Sequence, residues 1–435
     1  MDLSDLKLQY MKAGAVKLYA KPLAENDNSK NQIYFGPGFH ALNLFPSEGI
    51  HSDFKYRSAT FKARLNFSWL LENGATVPAA GAQLILYPQY PEVRFSGFLK
   101  GCKEAPSEYL RGREKGRILF LGVTSDAKII GYVVDRDSRI ANEFLGLKIK
   151  ETAGVFTDLG LHAARQTDES RILLLKELRR INRKGWIESK QLDATGTLKT
   201  CNAPQCGGFT LEAELGIVKN SKAEPDFHGW EIKQHAVTDF SRPDSGNAIT
   251  LMTPEPTGGV YKEKGVEAFI RSYGYPDRND KPDRLNFGGI FKMDRRNEST
   301  SMTLHFAGYD AKTRKITDTG GCIILADDRG DIAASWSFAG LLAHWSRKHT
   351  KAVYVPSMKH VEPPPRYKYG HLVRIGEETD ALSLLEAMAD GFVYYDPGIK
   401  LEHASTTPVI KRRSQFRIAS KHITRLYKHF ETVEV

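Results

Sequence analysis

Residues 226–233 read DFHGWEIK and form the most informative stretch of this chain. Side chains alternate between the two faces of a β-strand, so Glu231 and Lys233 share one face while Trp230 and Ile232 share the other. The apolar pair can then be buried while the charged pair faces a cleft. The pattern predicts a strand that carries a polar functional site on one side.

The residues before this strand add a second carboxylate. Asp226 lies upstream, and Gly229 allows the sharp bend that brings Asp226 to the side of Glu231 and Lys233. Carboxylate oxygens suit Mg²⁺, and a neighbouring lysine can polarise a water molecule or a phosphate oxygen. The spacing therefore predicts metal-dependent hydrolysis of a phosphodiester. The alternative is a solvated strand whose charges form weak surface pairs.

A further acid stands ahead of this strand, in the segment FTLEAELGI at 209–217. Thr210 is a candidate helix N-cap, which would put Glu212 in the first turn. Glu214 competes with Glu212 as the acid that reaches the site.

Composition favours a soluble protein with a polyanionic partner. The 435 residues carry a formal net charge of +10, and a basic balance of this kind suits nucleic acid. The N-terminus lacks the apolar core of a signal peptide, and no apolar run is long enough to span a bilayer. Cys201 and Cys206 could be metal ligands, but no second pair follows, so free thiols in a reducing cytoplasm are predicted for all four cysteines.

The length and the pattern predict two domains. The chain is β-rich to about residue 140, which predicts an N-terminal all-β domain over 1–165 including a linker. Helical and strand patterns then alternate, which predicts a mixed α/β domain over 166–435. The expected helices and strands of that domain are ESRILLLKELRRINRK, SFAGLLAHWSRK, DALSLLEAMADG, SMTLHFAGYD, GGCIILADD and KAVYVPS.

The region GGFTLEAELGIVKNSKAEPDFHGWEIKQH, residues 207–235, resembles the active site of the MvaI/BcnI family of restriction endonucleases. These are nucleases of the MutH-like PD-(D/E)XK type. The resemblance implies that Asp226 and Glu231 bind Mg²⁺ and that Lys233 orients or activates the attacking water. Glu212, at the family's spacing, would reach the water, the lysine or a second metal.

The segment KRRSQFRI, residues 411–418, is the candidate for reading base sequence. As a strand it would place Arg413, Gln415 and Arg417 on one face. Arginine pairs bidentately with guanine, and an acid such as Asp396 accepts a hydrogen bond from cytosine. The family resemblance places base-reading residues in both stretches. The alternatives are nonspecific phosphate contacts for the basic run and an ordinary turn at Asp396.

Residues 16–47 resemble the effector domain of EcoRII-like restriction enzymes, a B3-like pseudobarrel that binds CCWGG DNA. The resemblance implies two arms that grip the major groove. The implied contact residues are Asn31, Gln32 and Tyr34 on the first arm and Glu92 and Arg94 on the second. Tyr34 is otherwise an ordinary aromatic residue of a strand.

Together the two resemblances imply a monomeric, prokaryotic type IIE restriction endonuclease. It would bind two copies of a CCWGG-like site in double-stranded DNA and cut by sequential nicking with Mg²⁺. The alternatives are a CCSGG-specific enzyme, a MutH-like nicking enzyme, and a DNA-binding regulator whose nuclease domain is inactive.

Overall fold

The chain divides into two compact units, Met1–Glu169 and Ser170–Val435. The computed structural model describes residues 1–25, 31–54, 59–112, 114–147, 151–161, 166–218, 225–279 and 281–435, without the side chains of residues 151 and 166–169. The predicted boundary after residue 165 borders one of the gaps and lies outside the described residues. Each unit has its own core and is considered by itself.

Two sheets make up most of the N-terminal unit. The strands of the first are, in spatial order, Glu151–Ala153, Phe156–Asp158, Ala15–Pro22, Ile118–Thr124, Ile129–Val134, Phe67–Leu70 and Thr76–Pro78. Those of the second are Ile33–Pro37, Glu92–Ser96, Gln83–Tyr87, Thr60–Arg64 and Ile50–Asp53.

Aromatic residues join these two sheets. The ring centroids of Phe35 and Phe156 lie 4.9 Å apart, and those of Phe67 and Phe95 lie 5.1 Å apart. In each pair one ring comes from each sheet, so the sheets pack face to face around a shared core. Within the described residues neither sheet closes into a barrel.

The prediction of an all-β N-terminal unit is incomplete, because helices cover its first sheet. The helix Leu3–Lys12 begins at a capping box on Asp2 and buries Leu6 and Tyr10. Its apolar side chains join the core of the sheet. The unit's helices are Leu3–Lys12, Ala41–Leu44, Ser107–Arg111 and Arg139–Leu145.

A six-stranded sheet forms the centre of the second unit. Its strands are, in order, Ile187–Glu188, Arg366–Tyr369, Lys351–His360, Leu372–Thr379 and Tyr427–Glu434, with Glu231–Ala236 paired to Lys351–His360. We call Glu231–Ala236 the carboxylate strand. It runs parallel to Lys351–His360, with Glu231 opposite Ala352 and Lys233 opposite Tyr354.

Helices cover one face of this sheet. Leu174, Leu178 and Leu211 pack there with Trp230 and Ile232, all of them buried. The helices of the unit are Gln166–Arg183, Cys206–Glu214, Val260–Glu263, Gly265–Tyr273, Phe338–Lys348 and Ala381–Ala389, with a 3₁₀ helix at Ser420–Leu426. None of the helices in the described ranges is both long and apolar enough to cross a membrane.

Smaller sheets complete the second unit, and the helices and strands predicted from its sequence pattern are confirmed. One sheet contains Ile249–Met252, Phe416–Ile418 and Val393–Tyr395. The others contain Tyr275–Pro276, Arg284–Gly288, Gly398–Glu402 and Val409–Lys411; Arg296–Asn297, Met302–Ala307, Cys322–Asp327 and Ile332–Ser337; Lys190–Leu192 and Leu198–Thr200; and Tyr309–Asp310 and Lys315–Ile316.

The cysteine prediction is wrong for one pair. Cys201 and Cys206 form a disulfide, with their Cα atoms 5.7 Å apart. The chain turns between them so that Cys201 meets the first residue of the helix Cys206–Glu214, a proximity that their spacing alone does not reveal. Cys102 and Cys322 are free.

Two adjacent glycines show how closely the helix Cys206–Glu214 packs on the carboxylate strand. A Cβ atom on Gly207 would lie 2.9 Å from Gln234 Oε1 and 3.1 Å from Tyr367 Cε1, whereas one on Gly208 would meet nothing within 4 Å. The Gln234 amide is held in turn by Ser357 Oγ. The absence of a side chain at Gly207 therefore permits the close contact between the helix and the carboxylate strand, whereas Gly208 plays no part in that contact.

Substitution of these glycines by alanine should have opposite effects. Gly207→Ala should lower the free energy of unfolding by about 1–3 kcal/mol, because the added methyl overpacks the contact. Gly208→Ala should raise it by about 0.5–1 kcal/mol, because alanine restricts the unfolded chain and favours the helix. Chemical denaturation of the full chain measures both. Equal changes in the two variants would contradict this account of the packing.

Candidate active site

A tight turn brings Asp226 to the carboxylate strand. Phe227 and Trp230 exchange two backbone hydrogen bonds of 3.0 and 2.8 Å. His228 and Gly229 between them have φ angles of +47° and +86°, as a two-residue hairpin turn with left-handed backbone requires. Asp226 Oδ2 then accepts a hydrogen bond of 3.1 Å from the backbone N–H of Ile232. The predicted bend at Gly229 is confirmed.

Glu231 is an almost fully buried carboxylate, only 1% exposed. Lys233 Nζ donates a hydrogen bond of 2.6 Å to Glu231 Oε1. Burial opposes ionisation, but the charges of Lys233 and Lys348 and the hydrogen bond from Lys233 act together against it, and the pKa of Glu231 is lowered to about 2. Burial likewise opposes the charge of Lys233, yet Glu231 raises the pKa of this lysine above its ordinary value. The two residues therefore form an ion pair between a buried carboxylate and a partly buried lysine.

Glu212 approaches the same carboxylates from the helix Cys206–Glu214. Its pKa is raised to about 7, first by burial and then by the charge of Asp226, with Lys233 acting in the opposite direction. The pKa of Asp226 is raised to about 6, first by burial and then by the charge of Glu231. The structure thus brings all four predicted catalytic residues into one electrostatically coupled cluster.

The prediction for Thr210 is wrong. The helix begins at Cys206 after Gln205, so Glu212 lies in its last turn. Thr210 is fully buried within the helix, and its hydroxyl bonds to the backbone of Lys190. Gly207 and Gly208 both lie inside the helix, and Gly207 permits its close packing on the carboxylate strand.

Glu214, the competing acid, is occupied elsewhere. Its carboxylate accepts from Lys184 at 2.7 Å and pairs with Arg180 and Lys190. Burial would raise its pKa, but these cations lower it below the ordinary value. Glu214 therefore joins the helices of this unit, while Glu212 faces Asp226 and Lys233.

Sequence reasoning missed basic residues on the helix Phe338–Lys348. Lys348 Nζ lies 3.7 Å from Glu231 Oε1. His349 stacks on Trp345 at 4.0 Å, is fully buried, and has no hydrogen-bond partner on either ring nitrogen. Burial lowers its pKa to about 3 although the charge of Glu231 acts in the opposite direction, so it is neutral near Glu231. The helix is followed at once by the strand beside the carboxylates, and that adjacency could have revealed Lys348.

The two histidines near the motif have different surroundings. His228 is exposed beside the ring of Phe227. His235 is buried, its Nε2 lies 2.8 Å from the carbonyl oxygen of Pro243, and burial lowers its pKa to about 4. His235 thus fastens the end of the carboxylate strand to the segment that follows.

The donor atoms around Glu231 fit a hard divalent cation. Glu231 Oε2 is buried and has no hydrogen-bond partner among the described residues. Burial and then neighbouring negative charge raise the pKa values of Asp226 and Glu212, and a cation would relieve that repulsion. No three Asp, Glu, His or Cys side chains enclose a metal position within the described residues. Mg²⁺ commonly uses one or two carboxylates together with water and substrate phosphate, so Asp226 and Glu231 are a sufficient protein contribution.

A second polar cluster gathers three of the predicted base-reading residues. Arg417 donates 2.6 Å hydrogen bonds to Asp396 Oδ2 and to the carbonyl of Ala248. Gln415 Nε2 lies 3.5 Å from the same aspartate oxygen, and Thr250, which the sequence did not single out, donates to Gln415 Oε1 at 3.2 Å. Arg417 Nε is buried and unpartnered.

The segment 411–418 is not one continuous strand. Strands at Val409–Lys411 and Phe416–Ile418 are separated, and Ser414 is buried with its hydroxyl donating to the carbonyl of Pro254. The two-residue alternation nonetheless continues, because the N–H groups of Gly398 and Asp396 donate to the carbonyls of Arg413 and Gln415, and Arg417 lies opposite Tyr394. The intervening Ser414, Phe416 and Ile418 are all buried, whereas Arg413 is exposed. This register agrees with the common face predicted for Arg413, Gln415 and Arg417.

Four of the five residues predicted in the N-terminal unit lie on two paired strands or directly before them. Tyr34 is directly opposite Arg94 in the register of those strands. Arg94 Nε donates to Glu92 Oε1 at 2.7 Å, and Gln32 accepts a long hydrogen bond of 3.4 Å from the hydroxyl of Tyr87. Asn31, the fifth, is exposed with a φ of +48°.

The raised pKa of Glu212 predicts a pH-dependent effect of neutralising it. When the pKa of an acid is higher in the folded than in the unfolded protein, the free energy of unfolding falls as the pH rises from the unfolded-state pKa towards the folded-state pKa. Glu212→Gln should therefore stabilise the metal-free protein more at about pH 8 than at about pH 5, by about 2 kcal/mol. Chemical denaturation in chelator at both pH values measures this. An equal stabilisation at the two pH values would show that the pKa of Glu212 is not raised in the folded state.

Comparison with known proteins identifies the family of this chain. The model of the MvaI/BcnI restriction endonuclease family matches residues 175–427. The solved complex of restriction endonuclease MvaI with its cognate DNA substrate is similar, with 19% identity and a TM-score of 0.46 over 61% of this chain and 98% of that chain. The structure of MvaI in the absence of DNA is also similar, with 18% identity and a TM-score of 0.34 over 61% of this chain and 98% of that chain. No curated protein matches. Because the family model matches more than half of the sequence, the chain belongs to the MvaI/BcnI restriction endonuclease family and is a site-specific deoxyribonuclease.

Proposed function

We propose that the protein is a Mg²⁺-dependent type IIE restriction endonuclease that cuts duplex DNA at a CCWGG-like site. The observation that carries the proposal is the coupled cluster of Glu212, Asp226, Glu231 and Lys233. Two carboxylates, a third acid with a raised pKa and a partly buried lysine can together support metal-dependent hydrolysis of a phosphodiester.

The carboxylates supply the metal position in this proposal. Asp226 and Glu231 would hold Mg²⁺ through Oδ and Oε atoms, and Glu231 Oε2 is free to do so. When bound, the ion supplies charge stabilisation at the phosphate and makes water a better nucleophile. The hydrogen bond from Ile232 N–H orients Asp226 before any ligand arrives.

The remaining groups act on the water and the phosphate. Lys233, held by Glu231, would donate to the attacking water or to a phosphate oxygen and offset the negative charge that develops there. Glu212, with a pKa of about 7, would accept a proton from that water. The water oxygen bonds to phosphorus, one phosphorus–oxygen ester bond breaks, and the leaving oxygen takes up a proton from solvent.

The polar cluster at Asp396 supports sequence reading by this unit. Arg417 offers a guanidinium for guanine, and Asp396 an acceptor for cytosine. Their mutual hydrogen bond of 2.6 Å orients both groups before DNA arrives. Gln415 and the exposed Arg413 would complete the contacts on either side.

The N-terminal unit is proposed to bind a second, effector copy of the site. Tyr34 and Arg94 are cross-strand neighbours, and Glu92 orients the guanidinium of Arg94. Gln32 and Asn31 precede the strand of Tyr34 and add amide groups suited to base edges. The enzyme would act as a monomer that nicks the two strands in turn, and light scattering of the DNA-bound protein would reveal a dimer if this is wrong.

Cleavage of plasmids carrying one or two CCWGG sites tests the proposal. With Mg²⁺ the wild type should give linear product, faster on the two-site plasmid, whereas Asp226→Ala should leave the plasmid uncut because the metal position is lost. Asp239→Ala, at an exposed carboxylate beyond the strand, is the control and should cut normally.

Other outcomes identify the competing functions. Nicked circles that persist would favour a MutH-like nicking enzyme, and DNA binding without any cleavage would favour a regulator. Cleavage at CCSGG instead would correct the target. Equal rates on the one-site and two-site plasmids would contradict the effector role.

Base reading by Arg417 predicts a loss of discrimination. Arg417→Ala should weaken binding to the cognate duplex by about 1–3 kcal/mol while nonspecific binding changes little, because a bidentate base contact is lost. Arg412→Ala, at an exposed position of the same segment, should weaken both duplexes alike. Fluorescence anisotropy with and without the site measures the ratio. An unchanged ratio for Arg417→Ala would remove this residue from base reading.

A further inference from the structure

A cavity of about 310 Å³ opens in the second unit beside the candidate base-reading cluster. Three segments that are distant in sequence form its wall. They are the loop before the strand Arg296–Asn297, the turn after the helix Ala381–Ala389, and the start of the 3₁₀ helix Ser420–Leu426. The cavity lies outside the groups that the proposed cleavage and base reading use.

Cations without counterions line this cavity. Lys292, Arg295 and Lys421 contribute side chains to its wall, and none of them forms an ion pair with any described residue. The one acid in the wall is Asp390, which already lies 3.9 Å from Nη1 of Arg425. The cavity therefore carries a surplus of positive charge, which attracts an anion.

Aromatic rings make up the apolar part of the wall. The ring of Phe392 contacts the guanidinium of Arg425, 4.0 Å from the ring centroid, and the ring of His422, with the two ring centroids 4.5 Å apart. Burial, and then the charges of Lys421, Arg425 and Lys292, lower the pKa of His422. The charges of Lys421, Arg425 and Lys292 thus act on the ring of His422, and the apolar ring of Phe392 lies beside it. A phosphate next to a sugar matches this combination of surfaces.

The position of the cavity relates it to the base-reading cluster. Tyr394 lines the cavity and is the direct cross-strand partner of Arg417. Opposite Cα atoms in an antiparallel pair are about 4.5–5.5 Å apart. The major groove is about 12 Å wide and is bordered by phosphates. If Arg417 contacts a base edge in the major groove, the backbone phosphates that border the groove therefore lie within reach of the residues around Tyr394.

We propose that this cavity is a site for a backbone phosphate and its deoxyribose, flanking the base pairs that the unit reads. Lys292, Arg295 and Lys421 bind the phosphate oxygens, and Phe392 and Tyr394 contact the sugar. This assignment rests on the proposed function of the unit as the reader and cutter of duplex DNA. It adds a contact that positions the duplex and carries no base information.

The salt dependence of DNA binding tests the site. The double variant Lys292→Ala/Lys421→Ala should reduce the slope of log affinity against log salt by about one to two, since counterion release falls with each lost contact. Affinity for duplexes with and without the CCWGG site should fall in parallel. Anisotropy titrations of the full chain in chelator at several salt concentrations measure both. Lys359→Ala, at an exposed lysine on the far end of the strand Lys351–His360, is the control and should leave the slope unchanged.

Three results would overturn the proposal. These are an unchanged slope in the double variant, an equal reduction in Lys359→Ala, and a selective loss on the cognate duplex, which would indicate base reading instead. Thermal melting of the variants checks that they fold, and Lys421→Arg should keep the slope because it keeps the charge. This test of the cavity does not depend on cleavage. If the plasmid assay contradicts the proposed cleavage function, the effect of the double variant on the salt slope can still be measured.

Discussion

The burial of an ionised carboxylate at Glu231 constrains the whole catalytic unit. A charge that is removed from water is stable only with a close partner, and Lys233 supplies it on the same strand face at 2.6 Å. Lys348 adds a second cation at 3.7 Å from the neighbouring helix. The other oxygen of Glu231 has no hydrogen-bond partner in the described part of the chain, and it is the atom that the proposed metal would contact.

The local features of this site were predictable from sequence because they depend on strand alternation and turn geometry. The opposition of Trp230 and Ile232 to Glu231 and Lys233, and the bend at Gly229, need only neighbouring residues. The main helices and strands of the second unit followed from apolar periodicity in the same way.

Features that depend on the exact path of the chain or on packing between distant segments were not predictable. Cys201 meets Cys206 through a turn, and Thr210 lies inside a helix that starts four residues earlier. Lys348 reaches Glu231 from another element. The regular strand is interrupted before Phe416, where the hydroxyl of Ser414 donates to the carbonyl of Pro254, a partner 160 residues away in sequence.

The segment from Val237 to Ala248 touches both functions of the second unit. Within it the carbonyl oxygen of Pro243 accepts a hydrogen bond from Nε2 of His235 in the carboxylate strand, and at its end the carbonyl of Ala248 accepts one from Arg417. An arginine that turned towards a base would give up its bond to Ala248. One short stretch of backbone is thus tied both to the carboxylate strand and to the arginine of the base-reading cluster.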